Sequence, residues 1–121
     1  MKIDIQALGF SLTNALMREV ERRVMEPLSA RHEHISRIQV RLGDVNGPKG
    51  GKDMYCRIRV EMPGQKDAFV EDIESDMYMA IYRAAGRVNR TVSRRLSRVR
   101  ERHIRRVNRR ASELLVAVSP G

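Results

Sequence analysis

Several residue types on which functional sites often depend are scarce in this sequence. Trp is absent, and the 121 residues include only two Phe and three Tyr. The one cysteine, Cys56, excludes a disulfide or a cysteine-based metal cluster within a single chain. No apolar run approaches the roughly 18 residues that a membrane-spanning helix needs, and the N-terminal residues do not have the pattern of a signal peptide. We therefore expect a cytoplasmic protein without a membrane partner.

Acidic residues are also scarce, but only in the last third of the chain. Between Arg83 and Arg110 there are twelve Arg and a single acidic residue, Glu101. Residues 1–82 carry a net charge of −1 and residues 83–121 carry +10, so the whole excess of +9 lies after residue 82. A charge concentrated in this way is typical of proteins that bind a polyanion.

Hydrophobic periodicity predicts four strands with one helix between the first two. The strands are predicted over residues 2–8, 35–43, 54–62 and 67–74. The fourth is the weakest, and the pattern does not fix the phase of its apolar residues. The helix is predicted over residues 14–28, where apolar residues recur at about every fourth position and Thr13 is placed to cap the N-terminus. Pro27 predicts fraying near the end of this helix.

A second, longer helix is predicted after the fourth strand. It begins after Ser75 or Asp76, and its apolar stripe continues to Val99, with a weaker continuation toward Val107. Arginines spaced by three and four residues form a ridge beside or opposite this stripe. The ridge consists of Arg83, Arg87, Arg90, Arg94 and Arg98.

These elements predict an α+β fold of order β-α-β-β-β-α. A helix joins the first two strands, which should therefore be parallel with a right-handed crossover. Loops join the remaining strands, which should be antiparallel. Both amphipathic helices then pack on one face of a four-stranded mixed sheet. We expect residues 1–110 to form a single domain and residues 111–121 to form a short C-terminal tail.

The arginine ridge favours a nucleic-acid partner. Arginines four residues apart repel one another unless an anion neutralises them, although a solubility role or compositional bias would also place them there. A membrane surface would require Trp or Phe opposite the basic face, and single-stranded nucleic acid would require aromatic rings on which bases stack. The phosphate backbone of structured nucleic acid remains, and arginine binds phosphate through two hydrogen bonds at once. Arg22 and Arg23 extend this footprint if the two helices lie side by side.

Two patterns resemble known ligand sites but lack essential parts. The glycine-rich loop over residues 47–53 fails as a phosphate-binding loop, because Asp53 replaces the required Ser or Thr and a strand follows instead of a helix. His32 and His34 have a spacing found in metal sites, but no third ligand accompanies them. We expect a surface connector at the histidines and no metal.

An acidic cluster at the start of the second helix offers a Mg²⁺ site or an acid/base pair. It consists of Glu71, Asp72, Glu74 and Asp76. The favoured interpretation is structural, because carboxylates suit the positive end of a helix dipole. Cys56 is in phase with the apolar face of its strand and is expected to be an inert core residue. No nucleophile lies at motif spacing from a base, so no enzyme activity, cofactor or small-molecule substrate is expected.

The stretch Asp76-Met77-Tyr78-Met79-Ala80-Ile81 resembles the D-x-Y-x-A-I signature of the ribosome hibernation-promoting factor family, also called sigma-54 modulation proteins. The run Thr13-x-Ala15-Leu16 is similar to the start of the family's first helix. The resemblance covers about residues 1–103, and the predicted element order is that of the family. The chain departs from the family pattern at Tyr82, where an acidic residue often stands, and in the basic stretch that continues to Arg110.

The resemblance implies a non-enzymatic function in stress response and translation regulation. Family members bind the small ribosomal subunit, through its 16S rRNA, in the channel used by mRNA and tRNA, and they stop translation. By position, Arg87, Arg90 and Arg94 match the family's RNA-contacting residues most closely, and Arg22 and Arg23 match them more loosely.

Three other functions stay open at this point. The same charges would suit a general double-stranded RNA-binding or DNA-binding module that has no ribosomal target. A regulatory protein that docks on an acidic protein surface is a further alternative. A metal-dependent enzyme that uses the carboxylates of residues 71–76 is the last.

Overall fold

A computed structural model describes the backbone of residues 1–45 and 53–118, with side chains as far as Leu114. The strands are β1 (Lys2–Leu8), β2 (Arg37–Asp44), β3 (Met54–Glu61) and β4 (Ala68–Glu74). The helical elements are α1 (Asn14–Val20), a π-helical turn (Glu21–Met25), α2 (Glu26–Ser29), a 3₁₀ turn (His32–His34) and α3 (Met77–Val118). The predicted order β-α-β-β-β-α is confirmed, with α1, the π-helical turn and α2 forming one continuous first helical segment.

The four strands form one mixed sheet in the order β1-β2-β3-β4. Strands β1 and β2 are parallel, with Ile3 opposite Ile38, whereas β2, β3 and β4 are antiparallel to their neighbours. Pro63 and Gly64 form the turn after β3, where Gly64 has a φ of +77° and the Gln65 N–H donates to the Met62 carbonyl at 3.0 Å. The predicted pairing is therefore confirmed.

One face of the sheet carries the core, and both helical segments pack on it. Alternate residues of β2 and β3 are fully buried there, and they meet Val20 and Val24 of the first segment and Ile81 and Val88 of α3. The phase of β4, which the sequence left open, places Val70 in this core and Phe69 on the outer face. Both helices therefore share one face, as predicted, and the outer face is left polar.

The outer face contains one close contact between a ring and the backbone. Gly43 of β2 lies directly opposite Tyr55 of β3, and the Tyr55 ring covers the Gly43 backbone. A Cβ atom at residue 43 would overlap that ring. Glycine at this position therefore lets an aromatic side chain become buried on an otherwise exposed surface, beneath the Arg57 guanidinium 4.4 Å from the ring centre.

The first helical segment does not fray at Pro27, contrary to the sequence prediction. It widens into a π-helical turn, in which the Glu26 N–H donates to the Glu21 carbonyl five residues earlier, and helix continues to Ser29. Pro27 has no N–H to donate to the Arg23 carbonyl. Asn89 of α3 supplies that hydrogen bond through its Nδ2, at 3.2 Å. A long-range contact thus replaces the donor that proline removes.

The two predicted helix caps are present. Thr13 Oγ1 accepts a hydrogen bond from the Leu16 N–H at 3.2 Å, and Asp76 Oδ1 accepts one from the Tyr78 N–H at 3.2 Å. Helix α3 then runs unbroken across residue 110, where the tail was expected to begin, and ends at Val118. None of the described helices is long and apolar enough to cross a membrane.

Candidate nucleic-acid interface

A groove of about 430 Å³ lies between the first helical segment and α3. Five arginines line it, two from the first segment and three from α3, and we call it the arginine groove. They are Arg22, Arg23, Arg83, Arg87 and Arg90. The two helices therefore lie side by side, which was the condition under which Arg22 and Arg23 would extend the basic footprint. Both residues lie beside the α3 ridge.

The periodicity of α3 places its arginines along the groove. Residues three and four apart share one face of a helix, so Arg83, Arg87 and Arg90 face the groove while Ala84 and Val88 are buried beneath them. The groove is also lined by the small residues Ala85 and Gly86 and by Pro27. Small side chains between the two helices leave the space that the guanidiniums border.

Carboxylates of β4 hold two of the groove arginines. Arg83 Nε lies 3.3 Å from Glu74 Oε1, and Arg87 Nη1 lies 3.8 Å from Asp72 Oδ2. Arg87 Nη1 also donates to the Glu71 carbonyl at 2.8 Å. The arginine side chains are 58% and 51% exposed, whereas the Glu74 and Asp72 side chains are only 14% and 15% exposed. The carboxylates orient the guanidiniums from below and leave them open to an anion above.

The arginines of the first segment are positioned in a similar way. Glu19 accepts from Arg22 Nη2 at 2.9 Å and from Arg23 Nε at 3.0 Å. The Arg22 and Arg23 side chains are 62% and 41% exposed, whereas Glu19 is 14% exposed, so both guanidiniums stay accessible to a phosphate. Arginines outnumber the carboxylates that touch them in the groove, and the surface keeps a positive excess.

The remaining ridge residues lie beyond the groove along α3. Arg90 and Arg94, with Asn89 and Ser93, line a shallower depression that continues the groove. Arg98 is exposed one turn further on. Within the described side chains, Arg90, Arg94 and Arg98 have no carboxylate within ion-pair distance. Six of the seven residues that the sequence singled out therefore line the groove or its continuation, and Arg98 lies one turn beyond them.

Sequence reasoning missed Tyr82 and Asn89 as residues of this surface. Tyr82 is 54% exposed, and its ring centre lies 4.9 Å from the Arg23 guanidinium carbon, which is a cation–π distance. Asn89 binds the Arg23 carbonyl through Nδ2, and its buried Oδ1 has no partner in the described part of the chain. The only earlier signal was Tyr82 standing where the family pattern has an acidic residue, and nothing in the sequence marked Asn89.

The other candidate sites have structural roles. Glu71, Asp72 and Glu74 pair with arginines, and Asp76 caps α3. The described side chains contain no group of three His, Cys, Asp or Glu that could hold a metal ion. Cys56 is fully buried, and burial, followed by the charge of Asp72, raises the pKa of its thiol from 9.0 to about 12. Most of the glycine-rich loop lies outside the described residues.

The fold and this surface together define an α+β domain whose two helices share one sheet face and border a groove lined by arginine. The sequence profile of the sigma 54 modulation protein / S30EA ribosomal protein family matches residues 3–100. The chain therefore belongs to that family of ribosome-associated factors, and the resemblance seen in the sequence is confirmed.

Two solved structures are similar to this chain. The N-terminal domain of Protein Y from Thermus thermophilus is 27% identical, with a TM-score of 0.62 over 78% of this chain and 98% of that one. A ribosomal subunit interface protein from Coxiella burnetii is 19% identical, with a TM-score of 0.61 over 80% of this chain and 99% of that one. The second likeness is evidence of the fold alone. No curated protein sequence matches the chain significantly.

Proposed function

We propose that this protein is a ribosome hibernation factor that inhibits translation by binding the small ribosomal subunit in the channel used by mRNA and tRNA. It acts in the cytoplasm, its ligand is the phosphate backbone of 16S rRNA, and it performs no chemistry. The observation that carries the proposal is the arginine groove, in which two helices distant in sequence bring five guanidiniums to one surface. Membership of a family of ribosome-associated factors supports it.

The geometry suits recognition of backbone and shape. Guanidiniums bind phosphate oxygens through two parallel hydrogen bonds, and the carboxylates of Asp72 and Glu74 hold two of them in place before the ligand arrives. Preorganised side chains lose less conformational entropy on binding. Tyr82 adds one exposed ring beside Arg23 on which an unpaired base can stack.

Inhibition of translation then requires only that the protein occupies the channel. A domain bound in the channel excludes mRNA and tRNA from the same space, so neither a nucleophile nor a cofactor is needed. Binding through six to ten phosphates would weaken about a thousandfold or more between low and moderate salt, because each contact releases counterions from the RNA. Strong salt dependence is therefore the first expected property of the complex.

The test is to remove charge from the groove without disturbing the fold. The groove variant is Arg87→Gln/Arg90→Gln/Arg94→Gln, whose three side chains are exposed. Because Arg87 also contacts Asp72 and the Glu71 carbonyl, circular dichroism and thermal unfolding check that the variant keeps the fold. Losing three phosphate contacts should weaken binding to purified small subunits on the order of a hundredfold at 0.15 M salt and lower the salt slope by about 2 to 3. Co-sedimentation through sucrose gradients and fluorescence anisotropy measure both quantities.

A matched control removes the same charge from the outer face of the sheet. The sheet-face variant is Arg37→Gln/Arg41→Gln/Arg59→Gln, on the face opposite the helices. It should bind nearly as the wild type does. Equal losses in the two variants would mean that net charge alone drives binding, and unchanged binding by the groove variant would refute the proposed contact surface.

A competition experiment separates hibernation from general duplex binding. A hibernation factor should stay on small subunits when a tenfold mass excess of unrelated duplex RNA is added, because shape complementarity adds to the charge term. A general double-stranded RNA-binding module, the alternative function, would transfer to the competitor. An in vitro translation assay with wild type and groove variant then tests inhibition directly, and the variant should leave translation unaffected.

A further inference from the structure

The C-terminal part of α3 extends beyond the body of the domain. Val92 is fully buried against the sheet and Leu96 is partly buried, whereas every residue from Arg100 to Leu114 is exposed. This exposed stretch, residues 100–114, is called the overhang. At 1.5 Å per residue it is about 22 Å long. The family match ends at residue 100, so the overhang lies almost entirely outside the region that the family profile describes.

The overhang continues the basic ridge of the groove without a break. Six arginines and one acidic residue, Glu101, lie between residues 100 and 110. One row has arginine at every fourth position: Arg90, Arg94, Arg98, Arg102, Arg106 and Arg110. Each step of four residues advances about 6 Å and turns about 40° around the helix. The row therefore begins at the arginine groove and runs for about 30 Å along α3, turning by about 200° around the helix before it ends on the overhang at Arg110.

Almost nothing in the domain neutralises the overhang. Among its described side chains, the one ion pair joins Arg105 Nη2 to Glu101 Oε2 at 3.8 Å, and these side chains are 74% and 63% exposed. Like charges four residues apart destabilise a helix. The overhang has three residues of this row, Arg102, Arg106 and Arg110, and three further arginines, so it is a surface that an anionic partner stabilises.

We propose that the overhang is a second RNA-binding element, which lies against a double-helical RNA segment and contacts the phosphates bordering one of its grooves. This inference rests on the proposed function and deepens it, because it adds a contact that the groove does not make. Arg102, Arg106 and Arg110 carry the contact. The element recognises shape and backbone, since it has no Phe, Tyr or Trp on which a base could stack and its one ring is the imidazole of His103.

Charge and composition favour RNA over other occupants of this helix. Its opposite side exposes a narrow aliphatic stripe of Ile104 and Val107, which are 49% and 50% exposed. A second copy docked on that stripe would bring two sets of six arginines together against four glutamates, Glu101 and Glu113 of each copy. A membrane surface is favoured by Trp or Phe on the apolar side, and the overhang has neither.

The experiment compares three variants on two probes. The overhang variant is Arg102→Gln/Arg106→Gln/Arg110→Gln, to be measured beside the groove variant and the sheet-face variant. The probes are a protein-free 20-bp RNA duplex and purified small ribosomal subunits, each titrated at several salt concentrations. Gln keeps high helix propensity, and the replaced side chains are exposed, so the helical circular dichroism and thermal midpoint should not fall.

The overhang variant should bind both probes on the order of a hundredfold more weakly at 0.15 M salt, with a salt slope reduced by about 2 to 3. The sheet-face variant should lose far less. Wild-type binding by the overhang variant, or a loss no larger than that of the sheet-face variant, would overturn the inference. A loss on subunits without a loss on the duplex would overturn it as well, because the overhang would then contact a protein.

Two further outcomes keep this inference separate from the proposed function. If the groove variant binds normally while the overhang variant does not, the groove proposal fails and the overhang stands. If Ile104→Gln/Val107→Gln reduces duplex binding as strongly as the overhang variant does, or changes the mass of the free protein in light scattering, the aliphatic stripe is the contact surface and the inference fails.

Discussion

Both halves of α3 are rich in arginine, but one half packs on the sheet and the other is exposed. From Met77 to Val99 the helix lies on the sheet, and we call this part the seated half. Val88 and Val92 are fully buried there, and Arg95 Nη1 donates to the Lys66 carbonyl at 2.5 Å. From Arg100 to Leu114 every described residue is exposed. The apolar stripe of the first half has a sheet to bury it, and the stripe of the second half has none.

This difference determines how well the arginines are held. In the seated half, Glu74 and Asp72 lie against Arg83 and Arg87, so part of the side-chain entropy is lost before any ligand binds. Arginines of the overhang keep nearly all of their rotamer freedom and lose it on binding. The seated half therefore has the features of a preformed site, and the overhang has those of a charged element that adapts to its partner.

The largest contrast between the overhang and the packed body of the domain should appear in thiol chemistry. A Ser112→Cys variant has an exposed thiol on the overhang in addition to the buried thiol of Cys56 in the sheet. Cys56 reacts only when the domain opens, so with a typical stability of at least about 5 kcal/mol its rate should be lower by roughly three orders of magnitude or more. Ellman's reagent at pH 8 should reveal one fast and one slow thiol.

The pH dependence of the two thiols should differ as well. The exposed thiol should react faster as pH rises from 7 to 9, because the fraction of thiolate increases. Cys56 has its pKa raised from 9.0 to about 12 by burial, so its folded form stays neutral across this range. The unfolded chain releases that proton above about pH 9, so this thiol lowers stability as pH rises from 9 toward 12. A single fast phase for both thiols would contradict the burial of Cys56.

A smaller but still large contrast is expected from an added carboxylate. Val88→Asp buries a charge in the core beneath the arginine groove and should cost at least about 4 kcal/mol, enough to unfold much of the protein. Val107→Asp changes an exposed position and should alter the free energy of unfolding by less than about 0.5 kcal/mol. Urea denaturation measures both. If Val88→Asp does not fold, Val88→Ala, which should lower the free energy of unfolding by less, can be measured in its place.

Local patterns in the sequence predict most of this fold. The strand pairing follows from alternation along β2 and β3 and from the helix that joins β1 to β2, while Thr13 and Asp76 cap their helices through side chains next to them in sequence. These features depend on neighbours a few residues away. The arginine ridge is equally local, because spacing within one helix decides which side chains share a face.

Features that depend on one particular contact between distant residues were not predicted, or were predicted only as a condition. The β4 pattern alone did not fix its phase, because Phe69 lies on the outer face, where the Arg59 guanidinium covers it 5.3 Å from the ring centre. Pro27 indicated a frayed helix, since the sequence does not reveal that Asn89 would supply the missing donor. The arginine groove likewise exists only because two helices far apart in sequence pack side by side.

The smallest contrast concerns the two asparagines of α3. Asn89 in the seated half donates to the Arg23 carbonyl, to which Pro27 cannot donate because it has no N–H. Asn108 lies exposed on the overhang. Removing this side-chain donor to a partly buried carbonyl should cost about 1–2 kcal/mol in Asn89→Ala. Asn108→Ala should change stability by less than about 0.5 kcal/mol. Thermal unfolding of the two variants gives this difference directly.

The same pair also tests whether the contact between the helices shapes the arginine groove. Asn89 holds the backbone of Arg23, so its loss should loosen the Arg23 guanidinium above Tyr82 and weaken RNA binding a few-fold, about 0.5–1 kcal/mol. Asn108→Ala should leave the affinity unchanged, because the expected phosphate contacts of the overhang come from arginine. Equal effects of both alanines on stability and affinity would mean that the two halves of α3 do not differ in the way their burial indicates.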